Sequence, residues 1–282
     1  MKTAPVILSI AAGGSLSVHL IPRVREIVMN SDLGNLVVGE GAQCSLGHGL
    51  DGLFRKTAEE VLATKPDWPE TGFRGVVRDQ LDKAHNPIMA YLDYEPYGDD
   101  EATRKYRFDA GNRPRTNAEM DLVIRCIGQI QSESYERGIK LEVGVWNTPI
   151  TIDKSVDWPS INAMHDLADL DFIFLNEYRP LPSATQRKIT ARDVRTIRKN
   201  TKQPITVTVH ANGGRDFIPR NEASVRKKGR AIRDARARCL FWVNTAWLLD
   251  QANESPFEVA CNQWAKALGY RRTRILPWRL IR

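Results

Sequence analysis

Short apolar runs rich in β-branched residues alternate with longer stretches of helical periodicity along most of the 282-residue chain. The apolar runs cover Pro5–Ala11, Asn35–Gly39, Pro87–Glu95, Lys140–Asn147, Asp171–Glu177, Pro204–His210 and Arg238–Asn244. They are continuous rather than alternating, as expected of strands covered on both faces. The intervening helical stretches are 16–30, 51–64, 72–85 and 221–236, with a last one at 256–268. Thr116-x-x-Glu119 is a capping box that opens a helix running to Gly138, where glycine stops it. Thr190-x-x-Asp193 has the same spacing and predicts a helix start there, ending near Asn200.

Repeated βα units favour a parallel sheet. At this length the expected architecture is α/β: a closed (β/α)8 TIM barrel with one strand irregular or missing, a single domain over 1–282. Gly13-Gly14 follows the first strand, but neither G-x-G-x-x-G nor G-x-x-x-x-G-K-[ST] occurs, so dinucleotide and P-loop readings fall away.

Charge adds an asymmetry. The net charge is +7, from 41 Lys+Arg and 34 Asp+Glu. Residues 181–282 hold 22 Lys+Arg against 7 Asp+Glu, a net of +15, whereas residues 1–180 hold 19 against 27, a net of −8. A basic C-terminal third suits an anionic partner. Nucleic acid is the weaker reading, because no RNP, KH, zinc-finger or helix-turn-helix signature is present and the tryptophans do not interleave with the basic run. No apolar stretch has the length of a membrane span. Met1–Ala12 has a leader-like charge and apolar run, broken by Pro5 and Ser9. It reads as the first strand, which leaves secreted or periplasmic against cytoplasmic placement open, as it does the oligomeric state. Cys44, Cys126, Cys239 and Cys261 lack C-x-x-C spacing and read as buried thiols. No metal or cofactor is expected. His19, His48, His85 and His165 have no partner pattern and read as ordinary surface or core residues.

In an α/β barrel the chemistry lies at the C-terminal ends of the strands. Here those ends are polar and aromatic: Asp93-Tyr94-Glu95, Trp146-Asn147, Asn176-Glu177-Tyr178, His210-Ala211-Asn212 and Trp242-Val243-Asn244, with Trp247 beyond and Glu40 ending the second strand. Indoles stack on sugar rings, and amides and carboxylates bind hydroxyls. A carbohydrate is therefore the expected partner. In Tyr91-Leu92-Asp93-Tyr94-Glu95-Pro96-Tyr97 the two carboxylates are two apart and face the same side of a strand. So close together they resist double ionisation, and one keeps its proton. A protonated carboxyl is what glycosidic cleavage requires.

The heptapeptide "YLDYEPY" resembles the D-x-E strand of TIM-barrel glycoside hydrolases of the chitinase and hyaluronidase type, which act on N-acetylhexosamine polymers. The resemblance implies Glu95 as proton donor and Asp93 as the carboxylate that orients an acetamido group. It also implies Tyr178 as donor to the acetamido oxygen and Trp242 as the floor of the sugar subsite, with configuration retained. The chain departs from chitinases upstream, where Met89 and Tyr91 stand in place of acidic residues. "FLNEYRP" also resembles the Asn-Glu pair of another retaining group, which makes Glu177 a rival acid/base. The candidate site thus comprises catalytic Glu95, Asp93, Tyr178 and Glu177. The candidate substrate-binding residues are Trp146, Asn147, Asn176, His210, Asn212, Trp242, Asn244, Trp247 and Glu40. A non-catalytic carbohydrate-binding barrel and a polysaccharide lyase remain the alternatives.

Overall fold

The computed structural model describes residues 5–11, 21–31, 33, 37–45, 57–94, 116–146, 156–176, 183–210, 222–244 and 254–270. The strands are β1 (Val6–Ala11), β2 (Val37–Ser45), β3 (Pro87–Asp93), β4 (Glu142–Trp146), β5 (Phe172–Asn176), β6 (Ile205–His210) and β7 (Arg238–Asn244). All neighbours pair in parallel, and β7 returns to β1 through Val6↔Cys239 to Ala11↔Asn244, closing a barrel in chain order. The expected α/β barrel is present, with seven strands among the described residues.

The helices are α1 (Ile21–Asn30), α2 (Ala58–Thr64), α3 (Arg74–Lys83), α4 (Asn117–Glu136), α5 (Trp158–Ala168), α6 (Ser183–Asn200), α7 (Glu222–Asp234) and α8 (Glu254–Leu268). A π-helical turn, Pro69–Phe73, leads into α3. The α4 capping box forms in both directions: Glu119 N donates to Thr116 Oγ1 at 3.1 Å, and Thr116 N donates to Glu119 Oε2 at 2.9 Å. Gly138 ends the segment at φ 65°, a conformation that glycine adopts without steric cost.

Two expected boundaries are corrected. Helix α6 starts at Ser183, so Thr190 and Asp193 lie inside it, both fully buried. Spacing of three marks a capping box only at a helix start; within a helix it places two residues on one face. Strand β2 runs on to Ser45, six residues past the expected Gly39. Helix α5 was not expected. Its start signals are Asp157 at the N-cap, which makes no capping side-chain bond, and Pro159 in the first turn.

Strand alternation divides the core. Outward residues of β1 and β5–β7, such as Val6, Leu175, Val207 and Phe241, pack on α1 and α6–α8. Outward residues of β2–β4, such as Cys44, Leu92 and Val145, pack under α2–α5. The barrel interior holds Ile7, Met89, Tyr91, Trp146, Phe172, Phe174 and Leu240. Gly144 faces this interior. A Cβ there would lie 2.4 Å from Phe172 Cε2 and 2.5 Å from Cζ. That ring has little room to retreat, being edge-on to Phe174 at 4.9 Å and under the Arg238 guanidinium at 5.0 Å. Gly144→Ala is therefore expected to cost about 2 kcal/mol by overpacking, measurable as a lower urea midpoint at unchanged slope.

Candidate active site

Alternation along the strands points Ser9 of β1, Gln43 of β2, Tyr91 and Asp93 of β3, Trp146 of β4, Phe174 of β5 and Trp242 of β7 into the barrel. Asp93 is the last residue of β3, level with Ser45 on one side and Trp146 on the other. It therefore stands at the C-terminal mouth, partly exposed. Tyr94, the next residue, faces outward and donates its hydroxyl to Glu119 Oε1 at 3.1 Å. This ties the end of β3 to the α4 capping box.

Below the mouth runs a chain of hydrogen bonds centred on Gln43. Its Nε2 donates to Asp93 Oδ2 at 2.7 Å. Its Oε1 accepts from Trp242 Nε1 at 2.7 Å and from the Tyr91 hydroxyl at 3.1 Å. An indole N–H only donates, so the amide orientation is forced: its oxygen must face Trp242 and its NH2 must face the carboxylate. Ser9 Oγ lies 2.6 Å from the Tyr91 oxygen. Since the Tyr91 proton goes to Gln43, Ser9 is the donor in that pair. Burial pushes the Tyr91 phenol well above its ordinary range, with the Ser9 bond opposing and the Asp93 charge adding. Tyr91 thus stays a neutral hydroxyl and serves as a spacer in the network.

Aromatic packing holds these groups in place. The Tyr91 ring stacks on Trp146 at 5.6 Å and 24°, and it meets Phe174 edge-on at 5.0 Å. Trp146 lies 5.2 Å from Phe174. This corrects one expectation: Trp146 is 7% exposed, and its faces are taken up by the core rather than open to a sugar ring. Trp242 is half-buried, with its indole N–H committed to Gln43.

Glu40 is a second correction. It is level with Pro87, the first residue of β3, and so belongs to the N-terminal half of the barrel. Its oxygens take Arg25 Nε at 2.5 Å and Arg25 Nη2 at 2.9 Å, and Oε2 also accepts the His85 backbone N–H at 2.8 Å. It is a structural ion pair with α1, away from the mouth. Asn176, His210 and Asn244 are the last residues of β5, β6 and β7, at the same end as Asp93. Glu95, Glu177, Tyr178, Asn147, Asn212 and Trp247 lie outside the described residues.

Gln43, Tyr91 and Ser9 were not among the sequence candidates. The available signal was a polar residue at an inward position once β2 is extended through Ser45. Among the described residues no group of three His, Cys, Asp or Glu is placed to hold a metal. All four cysteines are free and buried. Burial raises every thiol, Cys239 to about 12, which removes them as nucleophiles at neutral pH. No helix among the described residues is long and apolar enough to cross a membrane.

No protein-family profile matches the chain, and no curated protein matches it by sequence. Solved structures do match. Bee venom hyaluronidase in complex with a hyaluronic acid tetramer aligns with TM-score 0.52 at 11% identity, over 93% of this chain and 99% of that one. A glycoside hydrolase family 5 enzyme from Prevotella bryantii, in complex with a xyloglucan tetradecasaccharide, aligns with TM-score 0.49 at 10% identity, over 88% and 75%. The tryptophan synthase α-subunit of Pyrococcus furiosus aligns with TM-score 0.38 at 13% identity, over 95% and 100%. At 11% identity the likeness to the hyaluronidase establishes a shared TIM-barrel fold.

Proposed function

We propose that this chain is a glycoside hydrolase that cleaves a polysaccharide or oligosaccharide, either N-acetylhexosamine-containing or anionic. The observation that carries this reading is the locked placement of Asp93. A carboxylate at the C-terminal mouth is fixed by an amide whose orientation Trp242 dictates, two residues before Glu95 in the sequence. A carboxylate held in one orientation at the C-terminal end of a barrel strand suits a group that handles substrate.

In this reading Glu95 gives its proton to the leaving glycosidic oxygen. Asp93, held as an acceptor by Gln43, orients the acetamido group that attacks the anomeric carbon. Tyr178 steadies the acetamido oxygen, Trp242 floors the subsite, and Glu177 binds sugar hydroxyls. Water then opens the cyclic intermediate with Glu95 as base, so configuration is retained. The basic C-terminal third would favour an anionic chain.

The test uses hyaluronan and chitin oligosaccharides as substrates for the purified chain, with reducing ends counted. Glu95→Gln is expected to lose turnover while still binding the oligosaccharide. Equal turnover in wild type and Glu95→Gln would overturn the assignment. Binding without turnover in the wild type would make the chain a carbohydrate-binding barrel.

A further inference from the structure

The N-terminal end of the barrel, opposite Asp93, contains a cavity of about 620 Å³ that the proposed chemistry does not use. Its size falls within the range of roughly 300–1,000 Å³ typical of small-molecule sites. Glu142 at the start of β4, Arg198 near the end of α6, Lys202, and Arg236 and Arg238 around the start of β7 line it. Four cations thus face one carboxylate, and that carboxylate is already taken: Glu142 pairs with Arg238 Nη1.

Arg238 is the unusual member. Its guanidinium lies over the Phe172 ring at 5.0 Å from the centroid. Its Nε and Nη2 are buried with no hydrogen-bond acceptor, as is the hydroxyl of Thr206, its register partner on β6. Burial pulls the Arg238 guanidinium below its ordinary range, so this cation is held at a cost that its one carboxylate does not fully offset. The basic residues are not all explained by helix ends. Arg198 does act in that way, donating to the Ala235 carbonyl just after α7. Among the described residues no carboxylate or carbonyl accepts from the side chains of Lys202 or Arg236, both exposed. Arg236 also holds φ 53°, a left-handed conformation more usual for glycine or asparagine.

We propose that this basin binds a small molecule through a phosphate or carboxylate group. Lys202 and Arg236 engage the oxyanion from the rim. Arg238, fixed by Glu142 and Phe172, supplies the inner positive charge. The site is separated from the mouth by the length of a strand, roughly 20 Å at about 3.3 Å per residue. It does not depend on the hydrolase reading.

Isothermal titration of the full chain with inorganic phosphate and, separately, with glucuronate tests it, sodium chloride holding the ionic strength constant. At least one of the two is expected to bind saturably; phosphate alone identifies a phosphate ester as the ligand class, glucuronate alone a sugar acid. In Lys202→Gln/Arg236→Asn the binding should weaken at least tenfold, with the unliganded Tm unchanged because both positions are exposed and asparagine tolerates the left-handed backbone. Lys202→Gln alone should show part of the loss. Absence of saturable binding by both anions, or wild-type affinity in the double variant, overturns the proposal. Either failure leaves the chemistry at Asp93 and Glu95 untouched.

Discussion

Between pH 6.5 and pH 4 the protein is expected to lose about 3 kcal/mol of stability through a single histidine. His165 lies on α5 and is 4% exposed. Burial holds its imidazole down to about 4 from an ordinary value of 6.5, with the neighbouring Asp166 charge opposing. Its Nδ1 is buried without a hydrogen-bond partner, and a backbone hydrogen bond at Leu170, which favours the charged form, offsets only part of the burial penalty. The folded state therefore keeps the ring neutral while the unfolded chain protonates it. Stability is fully present above pH 6.5 and drains away as pH falls toward 4. Paired carboxylates act lower. Glu70, Glu133 and Glu254 are all held below 4.5 in the folded state by arginine partners, so their losses begin only near and below that value. Urea unfolding at intervals from pH 7 to 4.5 isolates the histidine. His165→Leu should be flat across this window where the wild type falls. Parallel curves would show that the imidazole protonates inside the fold without penalty.

How far the sequence carried the fold depends on the kind of signal. β7 was readable residue for residue, and β1, β3, β4, β5 and β6 to within one or two, because a strand buried on both faces is a run of apolar residues with polar ends. The α4 helix was equally clear, since its capping box and its terminal glycine are local devices. Where a local pattern has two structural meanings, the reading failed. Thr190 and Asp193 have cap spacing but share a buried helix face. Gly39-Glu40-Gly41 looked like the end of a strand, yet β2 continues because Glu40 meets Arg25 of α1 and Gly41 lets the chain pass close to Leu240. That misplaced boundary hid the centre of the candidate site. The place of Asp93 at the end of β3 was legible from the apolar run that precedes it. Gln43 was not, because its partners Tyr91, Asp93 and Trp242 lie 48, 50 and 199 residues away in sequence. A network assembled only by barrel closure leaves no trace in periodicity. Trp146 failed for a related reason. An indole at a strand end serves a sugar or the core equally well, and only the rings of Tyr91 and Phe174 decide between them.

Gln43→Leu is expected to have the largest effect of any single change near the mouth, on stability and on turnover together. The substitution nearly conserves volume but removes three hydrogen bonds at once: the donor to Asp93 and the acceptor for both Trp242 and Tyr91. At roughly 1 kcal/mol net per bond, and more where a buried donor is stranded, the loss should reach about 3 kcal/mol. A denaturant midpoint measures it. The effect on chemistry follows from direction. Gln43 presents an N–H to Asp93, which favours the ionised carboxylate and fixes its rotamer. Without it, Asp93 loses the donor that favours its ionised form and takes a proton more readily. If the chain cleaves glycosidic bonds as proposed, kcat should fall about a hundredfold, a typical loss when a catalytic group is misplaced, while KM moves little. The acidic limb of the pH–rate profile should shift toward higher pH. Gln43→Glu provides the control. It keeps the size and an acceptor for Trp242, but sets a second carboxylate against Asp93, so it should shift the same limb further. A midpoint that falls in Gln43→Leu with an unmoved pH profile would reduce Gln43 to a structural strut. A shifted profile in both variants would make it the residue that aims Asp93.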